Sequence, residues 1–458
     1  MKTLIYISLT ILFISDCFAQ SNLWQRYYSG PFDDDDVGYD ICASTDGNYF
    51  LVGGAAGNSY PPGFYVIKIN QNGQKLWSKL IGSGTGFAFT VAATPGGGCV
   101  VSGDLARFLK LDADGNILVN VPLLSVFRRI NDIHKTIDNF YIGCGTYDID
   151  SSLMIKFDSI GNVIWQKIFP TTDRRSLHHI EEAINGGYIA VGRKSNFFND
   201  SLKLNIIRTD TSGNTIWEKD YTGADGVTFQ KTENNYTIVG QRHITKIDSS
   251  GRRYQTFLLM GLSPTTYEAV RDMEILLNNN YLFCTEIKEG GDSYTRILMS
   301  DSLGNPIRWK ILHKSEFTLL TSIEKNNDND FIFFGSTYYD TIPKANFYAI
   351  RTDSVLEIAP VGIINQNTII PKEFVLYQNY PNPFNSSTII KFDILKKDYY
   401  ELEVYSLLGK KIYKLFGEVK NIGKYEINFN SENFPSGMYV YKLSNKNKYL
   451  IKSFIFLK

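Results

Sequence analysis

The sequence predicts an all-β protein: a seven-bladed β-propeller closed by an N-terminal strand, followed by a C-terminal immunoglobulin-like β-sandwich. Three observations carry this. Aromatic residues make up 14% of the 458 residues, with 29 Tyr and 30 Phe, and such side chains suit a pleated surface. A turn-and-strand unit recurs seven times at intervals of 42 to 51 residues, close to the length of one four-stranded blade. Beyond residue 373 that unit is absent, and short alternating strands separated by Pro and Gly turns take over.

The first 19 residues read as a secretory signal: Lys2, an apolar stretch over 4–14, then "CFA" at 17–19 with cleavage expected after Ala19. Asp16 stands where a lipoprotein signal has a small neutral residue, which argues against acylation of Cys17. No later segment reaches the roughly 20 apolar residues that span a bilayer, so no transmembrane segment is expected. With 47 basic and 47 acidic residues, charge gives no reason to expect a nucleic-acid partner. The predicted route is export through the periplasm to the outer surface or the medium.

The repeat begins with "DGNYFLVGG" at 46 and returns as "GGGCVVSG" at 96, "DNFYIGCG" at 138, "NGGYIAVG" at 185, "NNYTIVG" at 234, "NNNYLFC" at 278 and "NDFIFFGS" at 329. Each unit continues through a second strand into a turn such as "NQNGQ", "DADGN", "DSIGN" or "DTSGN". The Asp or Asn bonds nearby backbone N–H groups, and the Gly supplies the positive φ that closes the hairpin. "DADGN" is read as a turn and not a calcium loop, because equivalent turns lack the second carboxylate and no Glu follows at the far end. A strand bearing Trp77, Trp165, Trp217 or Trp309 follows four of these turns; Val119 and Tyr254 lie nearby in two others. The seventh unit loses the turn Gly and has no such strand. The remaining Trp of the mature chain is Trp24, in "LWQRYYSG" at 23–30. An open ring would expose unpaired strand edges, so this segment is predicted to be the outer strand of the seventh blade.

The loops joining second to third strands share a face with the inter-blade connections and vary in sequence, the pattern of functional loops on a rigid scaffold. Their aromatic and acidic residues, Tyr60, Tyr147, Asp148, Asp150, Phe197, Phe198, Asp200, Tyr338, Tyr339 and Asp340, are the candidate ligand-binding set, suited to a sugar or peptide. The run Asp33, Asp34, Asp35 and Asp36 on the same face is a weak calcium candidate; no other cofactor is expected. Cys42, Cys99, Cys144 and Cys284 sit in apolar runs without zinc spacing and read as buried thiols, with one disulfide between neighbouring repeats left open. The five His form no HExxH motif, "GSGTG" at 82 lacks the Lys and Ser/Thr of a phosphate loop, and no GxSxG turn occurs. No catalytic residue is assigned. The D-x-x-G-N-x-I-W units are similar to repeats of quinoprotein dehydrogenases and to sialidase Asp boxes. No two Cys are adjacent, however, and Lys156 replaces the box Ser/Thr, so shared turn physics accounts for both likenesses.

A linker over 358–373 precedes the last domain, leaving the propeller at 20–357. The final segment carries "YPNPFN" at 380–385, "VYSLLGKKI" at 404–412, "FPSGMYVYKL" at 434–443 and a terminal Lys458. Each Pro of the first motif fixes its own φ and keeps its predecessor extended. In order and spacing these resemble the type A C-terminal sorting domain of the type IX secretion system of Bacteroidota, over about residues 374–458; Ser386 replaces a frequent Pro. The resemblance implies recognition by the outer-membrane export machinery, then cleavage with release or attachment to surface lipopolysaccharide. Pro381, Asn382, Pro383, Phe384, Gly409, Pro435, Gly437 and Lys458 match the motifs. The expected function is a secreted or cell-surface binding or adhesion module for an extracellular glycan or protein. The alternative is a secreted hydrolase on glycan or peptide using the propeller face or channel.

Overall fold

The computed structural model describes residues 23–357 and 374–457, apart from connecting segments at 32–34, 58–59, 83, 125–127, 149, 196–201, 223–225, 241, 260–266, 277–278, 290–291, 313–317, 327–329, 340–341, 378, 395, 407–409, 431–433 and 447–448. The signal-peptide and linker expectations lie outside these residues. The chain divides into two compact units, 1–365 and 366–458. Every regular element among the described residues is a strand. No helix there is long and apolar enough to cross a membrane.

The first unit is β-propeller-like. Six four-stranded antiparallel sheets each use four consecutive strands, beginning with Asp36–Ala43, Tyr49–Gly57, Tyr60–Ile69 and Lys75–Ile81. The seventh four-stranded sheet has only Thr318–Lys325, Phe331–Tyr339 and Ile342–Thr352 from its own stretch of chain; its fourth strand is Trp24–Tyr28. That strand runs antiparallel to Ile342–Thr352, in a register from Trp24 opposite Arg351 to Tyr28 opposite Phe347. Tyr27 stacks on Tyr348 at 4.9 Å, and the Tyr348 hydroxyl donates to Gln25 Oε1 at 2.7 Å. The same short strand also grips the first sheet. Trp24 Nε1 donates to Gln71 O at 2.9 Å and the Tyr28 hydroxyl to Gly73 O at 2.8 Å.

The grip on Gly73 is one case of a pattern found at five of the seven turns: an aromatic on the outer strand of one sheet covers the turn of the next. A Cβ on Gly73 would come within 2.7 Å of the Trp24 ring, one on Gly115 within 3.0 Å of Trp77, and one on Gly213 within 2.8 Å of Trp165. Trp77 and Trp165 likewise donate to Ala113 O and Thr211 O, at 2.8 and 3.2 Å. Glycine is therefore required twice over, for positive φ and for room. In the "DADGN" turn, Asp112 accepts from the Asp114 and Asn116 amides and the Asn116 side chain, so both oxygens serve the turn. The seventh turn has Leu356 at φ 63 in the glycine's place, and Asp353 still accepts the amides of Val355 and Glu357.

Trp309 departs from the other three strand tryptophans in its facing. Trp77, Trp165 and Trp217 lie opposite Lys68, Lys156 and Arg208, the residues two before the turn Asp or Asn. Trp309 stands one residue further from its turn glycine, opposite Leu298, and Arg308 takes the inward place opposite Met299. A one-residue offset turns a strand side chain to the other face. Arg308 accordingly reaches the next turn, donating to Val355 O at 2.7 Å, while Trp309 is 55% exposed.

In the second unit, a three-stranded sheet (Phe374–Leu376, Ser387–Ile394, Gly423–Asn430) and a four-stranded sheet (Lys411–Lys420, Asp398–Ser406, Gly437–Ser444, Tyr449–Phe456) share one core. Phe384, Phe392, Tyr400, Phe429, Phe454 and Phe456 are buried in it.

Truncating Trp24 to Ala removes a buried ring that joins two sheets and is expected to cost about 3–5 kcal/mol. Trp309→Ala is expected to stay within about 0.5 kcal/mol, as an exposed substitution. Urea unfolding of both variants checks this; equal losses would contradict the register assigned to the two rings.

Candidate functional site

The first strand of each sheet lines a central channel, and on each a polar side chain turns toward the neighbouring sheet, at the same point in all but Thr228–Lys231, where Gln230 stands two residues further on. Asp40 Oδ2 accepts the Val91 amide at 2.9 Å. Thr90 Oγ1 accepts the Ile133 amide at 3.1 Å and donates to Asp132. Asp132 Oδ2 accepts the Ile180 amide at 2.9 Å, and His179 meets the Thr228 hydroxyl at 3.5 Å. Gln230 accepts the Ile275 amide and donates to Met273 O, Asp272 Oδ2 accepts the Ile323 amide at 2.8 Å, and Ser322 donates to Asp40 at 2.9 Å. The series of hydrogen bonds thus returns to the residue from which it started. In six of the seven strands a register shift falls immediately before this residue, as a β-bulge that re-aims side chains requires.

The channel encloses about 1120 Å³. Around the belt, burial dominates the electrostatics. It pushes Asp40 up to about 7, reinforced by the Asp132 charge, and Asp272 up to about 7, reinforced by Glu274. Glu324 is pushed up to about 8 by burial and the charges of Glu274 and Asp40, and burial also raises Glu274. His179 lies 3.6 Å from Asp132 and 3.4 Å from Glu181; these carboxylates overcome its burial and raise it to about 9. His178, next in the chain, behaves oppositely. Burial and the charges of Arg193, Arg129 and Arg271 lower it to about 4. The channel is therefore acidic where its strands end, at Glu181, Glu274 and Glu324, and basic where they begin, at Arg129 and Arg174.

The described members of the candidate loop set fall on the basic side. Tyr147 and Asp148 line a separate cavity of about 430 Å³ with Gly84, Thr85 and Asp104. The Arg128 guanidinium lies 3.7 Å from the Tyr147 ring centre. Asp150 accepts from the Ser151 hydroxyl. Tyr60 opens the strand Tyr60–Ile69, and Tyr338 and Tyr339 end Phe331–Tyr339. Phe197, Phe198, Asp200 and Asp340 lie outside the described residues, although Ser195 and Leu202, flanking the 196–201 loop, line the central channel. Of the acidic run, Asp33 and Asp34 are likewise outside. Asp35 accepts the Ala345 amide at 2.8 Å and Asp36 the Gly30 amide, so both tie the N-terminal segment in place. Among the described residues no group of three or more His, Cys, Asp or Glu is placed to hold a metal. Cys42, Cys99, Cys144 and Cys284 are free thiols.

In the second unit, Pro381 O accepts the Thr388 hydroxyl at 2.7 Å, Asn382 Oδ1 accepts the Ile455 amide at 2.8 Å, and Phe384 bridges to Phe456. The Tyr380–Pro381 and Asn382–Pro383 peptides are cis. Pro435 is exposed and its carbonyl accepts the Tyr439 hydroxyl at 2.8 Å; Gly437 opens the strand Gly437–Ser444. Gly409 and Lys458 lie outside the described residues.

Sequence reasoning did not single out the channel residues, yet a signal exists. Asp40 precedes Asp46 by the same interval as Asp132 precedes Asp138 and His179 precedes Asn185. A polar residue kept at that interval inside an apolar strand marks the belt.

Residues 378–457 match the family described as the secretion system C-terminal sorting domain. That domain implies export by the type IX system to the cell surface or the medium, and interaction with its machinery. No curated protein matches the chain. Among solved structures, the first unit is similar to the Dos1 propeller (TM-score 0.43, 10% identity, covering 74% of this chain and 99% of that one). It is also similar to the Neurospora crassa Pan2 WD40 domain (0.45, 10%, 69% and 89%) and to the RRP9 WD40 repeats (0.49, 9%, 71% and 96%).

The channel sets a pH dependence. Asp40, Asp272, Glu274 and Glu324 are raised in the folded state, so they bind protons on folding from about pH 4 upward, and the stability they contribute is lost as pH rises through their folded values. His179 extends that loss to about pH 9. In the other direction, His178 and the turn carboxylates Asp112, Asp210 and Asp301, which their turn hydrogen bonds lower, contribute stability that is lost on acidification. The thermal midpoint is expected to fall between about pH 5.5 and about pH 9, and Glu324→Gln to flatten that fall. Calorimetry across this range checks it; a midpoint that rose with pH would contradict the assignment.

Proposed function

We propose that the chain is an exported cargo of the type IX system of a Bacteroidota cell, whose propeller is a non-catalytic binding or adhesion module. In this reading residues 1–19 are a signal peptide and 20–357 form a seven-bladed propeller closed by Trp24–Tyr28. A linker at 358–373 leads to an immunoglobulin-like sorting domain at 374–458. After export the propeller is released or held on surface lipopolysaccharide, and it recognises an extracellular glycan or protein.

One observation carries the non-catalytic reading. The belt acids Asp40, Asp132 and Asp272 each accept a backbone amide of the adjacent sheet. An acid held this way favours one protonation state and one position, whereas a general acid or base must exchange its proton with substrate. The raised values of Asp40 and Asp272 follow from burial within a structural belt, a known source of perturbed values away from active sites. The rival, a hydrolase, would draw on Glu274 and Glu324, which line the same channel and are both raised by burial.

A carbohydrate array probed with the purified protein, with and without calcium, is expected to give binding without product release. Turnover abolished by Glu274→Gln or Glu324→Gln would establish the hydrolase instead. Deleting residues 366–458 is expected to leave the first unit folded but retained in the periplasm, as read by cell fractionation; unchanged surface delivery would refute the sorting role.

A further inference from the structure

Five arginines contribute to the lining of the channel: Arg129, Arg174, Arg175, Arg193 and Arg271. Four have partners within the protein, Arg174 among them. Arg129 pairs with Asp104 at 3.1 Å, Arg175 with Glu218, and Arg271 with Glu286. Arg193 is exposed to the channel, and no hydrogen bond or ion pair to another described residue accompanies it. Beside it, His178 keeps a buried Nε2 without a hydrogen-bond partner. The Arg193, Arg129 and Arg271 charges all bear on this ring. Tyr39 and Phe89 complete the mouth, packed edge-to-face at 4.6 Å and half-buried, with the Arg129 guanidinium 4.2 Å from the Phe89 ring centre.

These groups define a ligand. A free guanidinium offers planar paired donors for a carboxylate. One uncommitted cation matches a single negative charge better than a phosphate dianion. A neutral imidazole nitrogen can pair with a hydroxyl. Two adjoining aromatic rings give an apolar surface for the flat face of a sugar. We propose that the arginine-lined mouth of the channel binds a carboxylate-bearing saccharide, with Arg193 holding the carboxylate and Tyr39 and Phe89 facing the ring. This rests on the reading of the propeller as a binding module.

The test is titration calorimetry on the full exported protein with three probes: tetragalacturonate, its carboxyl-reduced neutral counterpart, and tetraglutamate. The expected result is binding of tetragalacturonate alone, weakened at least about tenfold by Arg193→Gln and less by Arg193→Lys, with thermal melts unchanged because Arg193 holds no fold contact. Equal binding of the neutral sugar, untouched by Arg193→Gln, overturns the carboxylate assignment and leaves the binding-module reading standing. Tetraglutamate bound with the same dependence on Arg193 overturns the saccharide class. Binding of none of the three overturns the site. Appearance of new reducing ends overturns the binding-module reading itself.

Discussion

A polar side chain on one innermost strand, holding a backbone amide or polar group of the next sheet, is the constraint on which the propeller-like unit depends. Sheets packed face to face through apolar side chains resist separation but have little resistance to sliding, because apolar contact is non-directional. Hydrogen bonds from Asp40, Asp132, Gln230 and Asp272 to defined amides fix height and angle at the axis. The outer strands add a second fixed point, where an indole or arginine reaches a turn carbonyl of the next sheet. With one anchor near the axis and one near the rim, each sheet is oriented relative to its neighbour. Trp24–Tyr28 supplies the outer anchor for the sheet whose own stretch of chain has only three strands.

The same belt explains the titration behaviour of the channel. A buried carboxylate that accepts one or two amide bonds is only partly compensated for lost hydration. Asp40 and Asp272 therefore remain raised despite their hydrogen bonds, and their charges push Glu324 further. A cluster of shifted acids in a cavity ordinarily suggests chemistry. For Asp40 and Asp272 the shift accompanies a hydrogen bond to the adjacent sheet.

Much of this was legible in the sequence because it is local. The Asp-to-Gly turns and alternating strands depend on a few adjacent residues, and the orphan strand at Trp24 was recognisable because its pattern repeats elsewhere in the chain. Trp309 lies on the strand that the sequence indicates, but its facing depends on distance from the turn: one added residue turns the ring outward and sends Arg308 in its stead. The seventh turn shows the converse, with the Asp353 hydrogen bonds holding Leu356 in a conformation that ordinarily selects glycine. The channel was out of reach of local reasoning. Asp40 and Ser322 meet across nearly the whole first unit, and only the recurring interval to the following turn hints at it.

The belt also divides the channel chemically. Every first strand runs the same way through it, so residues before the bulge gather at one end and residues after it at the other. Arginines occupy the former and glutamates the latter. The boundary passes between two successive residues: His178 is held neutral by burial and neighbouring arginines, and His179 is held charged by Asp132 and Glu181. A monoanion approaching from the loop face meets attraction until the belt and repulsion beyond it. Such a gradient favours an anion seated at the mouth over one passing through, and the mouth adjoins the loops, whose sequence can change without disturbing the hydrogen bonds that hold the sheets in register.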